Sequence, residues 1–172
     1  MRRLASTDGL TGILNRSAFL AAGQREMDWV RPIDQVLFLL MVDVDHFKAI
    51  NDRYGHAGGD LGLQHLVATL RSGLRESDLL GRLGGEEFAI VLHTGSPEIA
   101  EGIAERLRSR VEAERLTFND RVIQMTISVG FAVRQPADHS IDQLIARADA
   151  ALYEAKHSGR NRVIKDRTSV AT

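Results

Sequence analysis

"DLLGRLGGEEFAIVLH", Asp78 to His93, decides the fold. Two strand-like runs, "DLLGRL" and "EFAIVLH", are separated by the pair Gly84-Gly85. That is a hairpin signal, because tight hairpin turns use positive φ, which glycine adopts without penalty. Upstream, "QVLFLLMVDVD" (Gln35 to Asp45) is a short, almost unbroken apolar run that predicts a buried central strand ending in acid. Around these lie helical patterns. One spans about Ser17 to Arg31 and is stopped by Pro32. Another spans Gly59 to Leu74 with Leu63, Leu66, Val67, Leu70 and Leu74 on one face. "SPEIAEGIAERLRSRVEAER" opens with Ser96 as N-cap and Pro97 at the first helical position. "SIDQLIARADAALYEAKHSGRN" carries a capping box at Ser140 and Gln143, and Gly159 can close its end. "VIQMTISVGFAV" reads as one strand, and "NRVIKD" as a short last strand at the sheet edge. Strands alternate with helices, yet a hairpin sits at the centre. The expected class is an α/β (α+β) sandwich with a mainly antiparallel sheet, not a doubly wound parallel one.

A chain of 172 residues suits one domain with a real core. We expect residues 1–172 to form a single domain, with its core at about 6–166 and a loose tail at 167–172. Hydrophobic content of 44% and charged content of 26% are ordinary for a globular protein, so neither disorder nor membrane residence is indicated. A net charge of −1 argues against a nucleic-acid-coating protein. Without cysteine there is no disulfide framework and no thiolate chemistry. No run is long enough to span a membrane, and "MRRLASTDGLTG" lacks a signal peptide's apolar core. A cytoplasmic location is the expectation.

Two acidic clusters carry the chemistry. "VDVDHF" ends the apolar run with Asp43 and Asp45, and "GGEEF" places Glu86 and Glu87 at the central turn. Side chains alternate along a strand, so Asp43 and Asp45 share a face. If that strand lies beside the hairpin, three or four carboxylates converge and repel one another unless a cation relieves them. Hard oxygen ligands select magnesium or manganese over zinc. Each cluster alone is as easily a solvated strand end. A "DVD" after an apolar run also hints at haloacid-dehalogenase phosphatases, but Phe47 stands where their hydroxyl residue would be.

With the remaining motifs the chain resembles the GGDEF family, the diguanylate cyclases, in the GGEEF form of the signature. "DGLTGILNR" (Asp8 to Arg16) resembles the family's N-terminal motif, and "DVDHFKAINDRYGHAGGD" (Asp43 to Asp60) its metal and guanine segment. "RLGGEEF", "TISVGFA" and "RADAALYEAKHSGRNRV" (Arg147 to Val163) follow in family order. Five ordered motifs over nearly the whole chain are far more specific than the signature alone.

The resemblance implies a central five-stranded, mainly antiparallel sheet flanked by helices, similar to the nucleotidyl cyclase and polymerase palm. It implies condensation of two GTP to cyclic di-GMP by two facing copies of the domain, with two metal ions (Mg2+ or Mn2+) per GTP site. Asp43 and Glu86 would hold the metal with the Val44 carbonyl and Glu87, and Glu87 is also a candidate base for the 3′-hydroxyl. Asn51 and Asp60 would select guanine, whose N1–H and N2–H2 donors suit an acceptor-only carboxylate. Backbone N–H groups at His46 and Phe47, with Lys48, Lys156 and Arg160, would hold phosphates. "RESD", Arg75 to Asp78, resembles the family's RxxD product-inhibition site, where arginine reads guanine's Hoogsteen edge. Arg106 is a candidate second arginine there. An upstream sensory or receiver domain is the expected regulator. Two other readings stay open: a catalytically silent module binding GTP or cyclic di-GMP, and a hybrid cyclase that also accepts ATP.

Overall fold

The computed structural model describes residues 5–29 and 31–168. Its elements in chain order are α1 (Arg16–Asp28), β1 (Val36–Val44), α2 (Phe47–Ser72), β2 (Leu79–Arg82), β3 (Glu87–Thr94), α3 (Pro97–Ala113), β4 (Leu116–Phe118), β5 (Arg121–Ile123), β6 (Ile127–Val133), α4 (Ile141–His157) and β7 (Val163–Lys165). Five strands form the main sheet in the order β2-β3-β1-β6-β7, and β4 and β5 form a separate ribbon. All neighbours in the main sheet are antiparallel except β6 and β7, which run parallel.

The unbroken apolar character of β1 has a direct cause: the strand is central and covered on both faces. Phe38, Leu40, Val42 and Val44 enter a core with α2 and α3, contributing Leu63, Leu66, Leu70, Ala104 and Leu107. Leu37, Leu39 and Met41 enter a second core with Phe19 of α1 and Ile141, Leu144, Ala148 and Leu152 of α4. The alternation continues into the acids, so Asp43 emerges on the α1/α4 face. The sheet register sets Asp43 opposite Glu87, and residues directly opposite share a face.

Helix boundaries follow their caps. Asn15 accepts from the Ala18 N–H at α1, and Ser96 caps α3 with Pro97 behind it. Ser140 and Gln143 form the expected capping box of α4, and Gly159 follows its end at φ 128. The chain leaves α1 earlier than expected, turning extended at Trp29. Arg31 instead reaches back and donates to the Glu26 carbonyl at 2.6 Å, satisfying a C-terminal acceptor of the helix. The expected helix at Gly59 begins further upstream, at Phe47, with a kink at Gly55 (φ 75).

Two other expectations are corrected. "VIQMTISVGFAV" is two strands, β5 and β6, interrupted at Gln124–Thr126, and β5 pairs with β4 across a turn whose Asn119 and Asp120 have φ 47 and 61. Conversely, neither Gly84 nor Gly85 lies in the left-handed region. Leu83 to Glu86 form a wider loop, closed by the Leu83 N–H donating to the Glu87 carbonyl at 2.9 Å. Residues 169–172 of the expected tail lie outside the described residues. Thr168 itself donates to Asp166 through both its N–H and its hydroxyl.

Candidate active site

The end of β1 feeds directly into α2, and the transition is tight. His46 takes left-handed dihedrals (φ 53, ψ 38) at the N-cap of α2, where no side chain caps the helix. A non-glycine residue there carries a conformational cost. It leaves the first N–H groups of α2 without intrahelical partners. Such a terminus favours anions.

Around it is a cavity of about 220 Å³ lined by Asp43, Val44, Asp45, His46, Phe47, Lys48, Glu86, Lys156 and Arg160. Sequence reasoning had named every one of these residues. Glu86 is brought there by the hairpin: its carbonyl accepts from the Val44 N–H at 3.3 Å. Glu87 lies across from Asp43 in register but outside the cavity lining. Asn51 and Asp60 also lie outside it, further along α2. The Gly55 kink folds this helix so that a Cβ at Gly59 would meet Asn51 Oδ1 at 1.8 Å. Gly59 therefore seats the Asn51 side chain beside the turn that carries Asp60.

Asp43 is only 6% exposed. Burial raises its carboxyl above the usual range; Glu86 and Glu87 push the same way, and Lys156 opposes them. Lys156 Nζ lies 2.7 Å from Asp43 Oδ2, so the site draws positive charge to this carboxylate. Among the described residues, no three Asp, Glu or His side chains form a ready-made metal cage. Three of the expected carboxylates still gather, since Asp43 feels both Glu86 and Glu87. Asp45 is engaged elsewhere: it accepts from the Thr126 and Ser128 hydroxyls at 2.7 and 2.6 Å and from the Asn161 N–H at 2.9 Å. Its lone pairs are committed to structure. The remaining donors, Asp43 and Glu86 with Glu87 beside them, are hard oxygens of the type magnesium and manganese prefer, and they fit such an ion.

Several supporting residues escaped sequence reasoning. Arg82 donates from Nε to the Gly84 and Gly85 carbonyls, both at 3.1 Å, and from a terminal nitrogen to Gly85 at 2.8 Å. The same guanidinium meets Asp8 at 3.1 Å, tying the signature turn to the N-terminal motif. Asn161 bridges Asp45 to α3 by accepting from Arg108 at 2.7 Å and donating to Glu112. It thereby fixes the left-handed pair Arg160 and Asn161 (φ 61 and 46) beside the cavity wall formed by Lys156 and Arg160. The motif letters were visible, but nothing in spacing reveals such partners.

Arg75 and Asp78 close a turn: the Arg75 N–H donates to Asp78 Oδ2 at 2.7 Å. They line a separate cavity of about 400 Å³ with His93 and the end of α1. Arg106 lies outside that lining; it donates to the Gly73 carbonyl at 2.9 Å. The His93 imidazole is held below its usual pKa by burial and then by Arg31, with Glu26 opposing.

Among the described residues no helix is long and apolar enough to cross a membrane. The family model of the diguanylate cyclase GGDEF domain matches residues 5–162. Diguanylate cyclase A of Treponema denticola is 42% identical over 129 residues, covering 75% of this chain and 35% of that protein. Diguanylate cyclase VdcA of Vibrio cholerae is 41% identical over 162 residues, covering 91% of this chain and 46% of its own. The chain thus spans less than half the length of these curated relatives. Among solved structures, the GGDEF domain of DgcB from Caulobacter crescentus in complex with c-di-GMP matches with a TM-score of 0.89. That match has 33% identity and covers 98% of this chain and 99% of that one.

Proposed function

The chain belongs to the GGDEF, diguanylate cyclase family, and from that premise we propose that it condenses two GTP molecules to cyclic di-GMP. One observation carries the reading: a single small cavity joins a cation-seeking side to an anion-seeking side. On the first are Asp43 and Glu86; on the second are the uncapped start of α2, Lys48, Lys156 and Arg160. A metal–triphosphate complex presents the complementary pair of charges.

Asp43, Glu86, Glu87 and the Val44 carbonyl would hold the metal, Mg2+ or Mn2+, two per GTP. When bound, the ions supply Lewis-acid neutralisation of the triphosphate and acidify the attacking hydroxyl. The α2 N–H groups and Lys48 orient the phosphates, while Lys156 exchanges its Asp43 partner for phosphate oxygen. Arg160, held through Asn161, meets the departing pyrophosphate. Asn51 and Asp60 accept hydrogen bonds from guanine's N2–H and N1–H groups. Glu87 receives the proton of the 3′-hydroxyl. The 3′-oxygen of each GTP bonds to the other's α-phosphorus as the α–β phosphoanhydride bond breaks, so two new phosphodiester bonds release two pyrophosphates.

Each domain presents one GTP, so turnover needs two domains face to face. A sensory or receiver domain upstream would align them by raising effective concentration, and cyclic di-GMP returning to Arg75 and Asp78, with Arg106 as a second arginine, would restrain them. A cytoplasmic site of action supplies the GTP.

The test is incubation with GTP and magnesium across a range of protein concentrations, with chromatographic separation of products. We expect cyclic di-GMP whose specific activity rises with protein concentration, and none from Glu86→Ala. Binding of GTP without product, even after fusion to a dimeriser, would leave a silent binding module instead. Product from ATP and GTP alike would mean that Asn51 and Asp60 do not discriminate.

A further inference from the structure

The end of α1 inverts the usual distribution of aromatic and charged residues. Trp29, the single tryptophan of the chain, is 60% exposed. Arg31 beside it is nine-tenths buried, its side chain only 9% exposed. Two contacts hold Arg31 in place, both from one terminal nitrogen at 2.6 Å: to the Glu26 carbonyl and to the Glu26 carboxylate. Its Nε has no hydrogen-bond partner among the described residues. Neither does His93 Nε2, which lies 3.2 Å from Glu26 Oε2 without hydrogen-bond alignment. Buried donors are ordinarily satisfied; these two are enclosed, on side chains that line one cavity.

The cavity holding Arg75 and Asp78 is lined by Trp29, Arg31, Gln35 and His93 as well. A neighbouring cavity of about 430 Å³ shares Trp29, Arg31 and Gln35. Trp29 therefore borders both cavities, each within the volume range of a small-molecule site. Its ring has the Arg31 guanidinium carbon 5.2 Å from its centroid. An exposed indole backed by a fixed cation is a platform for the flat face of a nucleobase.

We propose that Trp29 and Arg31 complete the regulatory nucleotide site: a guanine of cyclic di-GMP stacks on the Trp29 indole, which the Arg31 guanidinium backs. This rests on the reading of Arg75 and Asp78 as the product site. Those two residues read the edge of the base, and Trp29 takes its face. Edge contacts discriminate guanine; the stack adds affinity for any purine.

Trp29 is the chain's own reporter. Cyclic di-GMP is titrated into the full chain while tryptophan emission and binding heat are followed in parallel. The expected result is saturable quenching with the same midpoint as the calorimetric isotherm. Trp29→Ala weakens binding about 5- to 150-fold, the equivalent of losing one aromatic stack, and Trp29→Phe restores most of the loss. Because the side chain is exposed, its truncation empties no core; a matching thermal melt confirms this. Binding heat with unmoved emission, or equal affinity in Trp29→Ala, overturns the inference and leaves Arg75 and Asp78 as the site. Absence of binding heat in the parent chain overturns that underlying reading and this inference with it.

Discussion

At Asp43 two demands meet: the end of a buried strand excludes charge, while the proposed chemistry requires it. Lys156 settles the conflict with a 2.7 Å pair, and the same ammonium lies on the wall that we propose receives phosphate. Replacing it therefore has two separable effects. Lys156→Ala should lower kcat/KM for GTP by about 10- to 150-fold, the loss of one hydrogen bond to a charged group at roughly 1.5–3 kcal/mol. Stability should fall less, by about 1 kcal/mol, because the lysine is partly solvated and exposed pairs contribute little. Steady-state kinetics and a denaturant melt on the same variant measure both. A large stability loss with unchanged kinetics would reduce Lys156 to a structural counter-ion. The acids themselves were legible, since a double acid after an apolar run has a shape in the sequence. The division of labour between them was legible only through the family resemblance, which gives the metal to Asp43 and not to Asp45; the three donors from distant segments that claim Asp45 were silent in the sequence.

The central strand, the hairpin and α4 were readable because each carries its own punctuation: apolar continuity, turn residues or a capping box. The failures were local and share a cause. Positive φ was assigned to Gly84-Gly85 because glycine permits it, yet the loop is held by the Arg82 guanidinium instead. Meanwhile Asn119 and Asp120 form the genuine left-handed hairpin turn, and their strands are too short for alternation to show. What places α4 is also silent in the sequence. A Cβ on Gly130 of β6 would stand 2.1 Å from the Leu152 amide and 2.3 Å from the Ala148 carbonyl. The helix backbone rests directly on the sheet there, one turn from Lys156. Gly130→Ala should force α4 away, costing roughly 1–3 kcal/mol as overpacking does, with a matching loss of GTP turnover. A thermal melt and an activity assay would show it. A neutral substitution would mean that the helix yields without disturbing the site.

Across the whole molecule, the outermost strands of the sheet are β2 and β7, and an acid–arginine clasp guards each. At β2, Arg82 meets Asp8, which also accepts from the Thr11 N–H and hydroxyl. Beyond β7, Asp166 accepts from Arg147 of α4 at 2.9 Å and from the Thr168 hydroxyl. Burial alone would raise both carboxyls, but these hydrogen bonds and charges reverse it and hold both below their ordinary values. A depressed folded-state pKa contributes stability that is fully present above the unfolded value near 3.9 and is lost as pH falls through the folded value. The edges should therefore loosen below about pH 4, among them the N-terminal segment whose Asp8 also steadies the signature turn. Thermal melts from pH 7 to pH 3 should show Tm falling at the acid end. Asp8→Asn and Asp166→Asn should each start from a lower Tm at pH 7 and show a shallower acid decline, because the group that titrates is gone. An acid slope unchanged in the double variant would move the lability to other carboxylates and leave the two clasps as passive surface pairs.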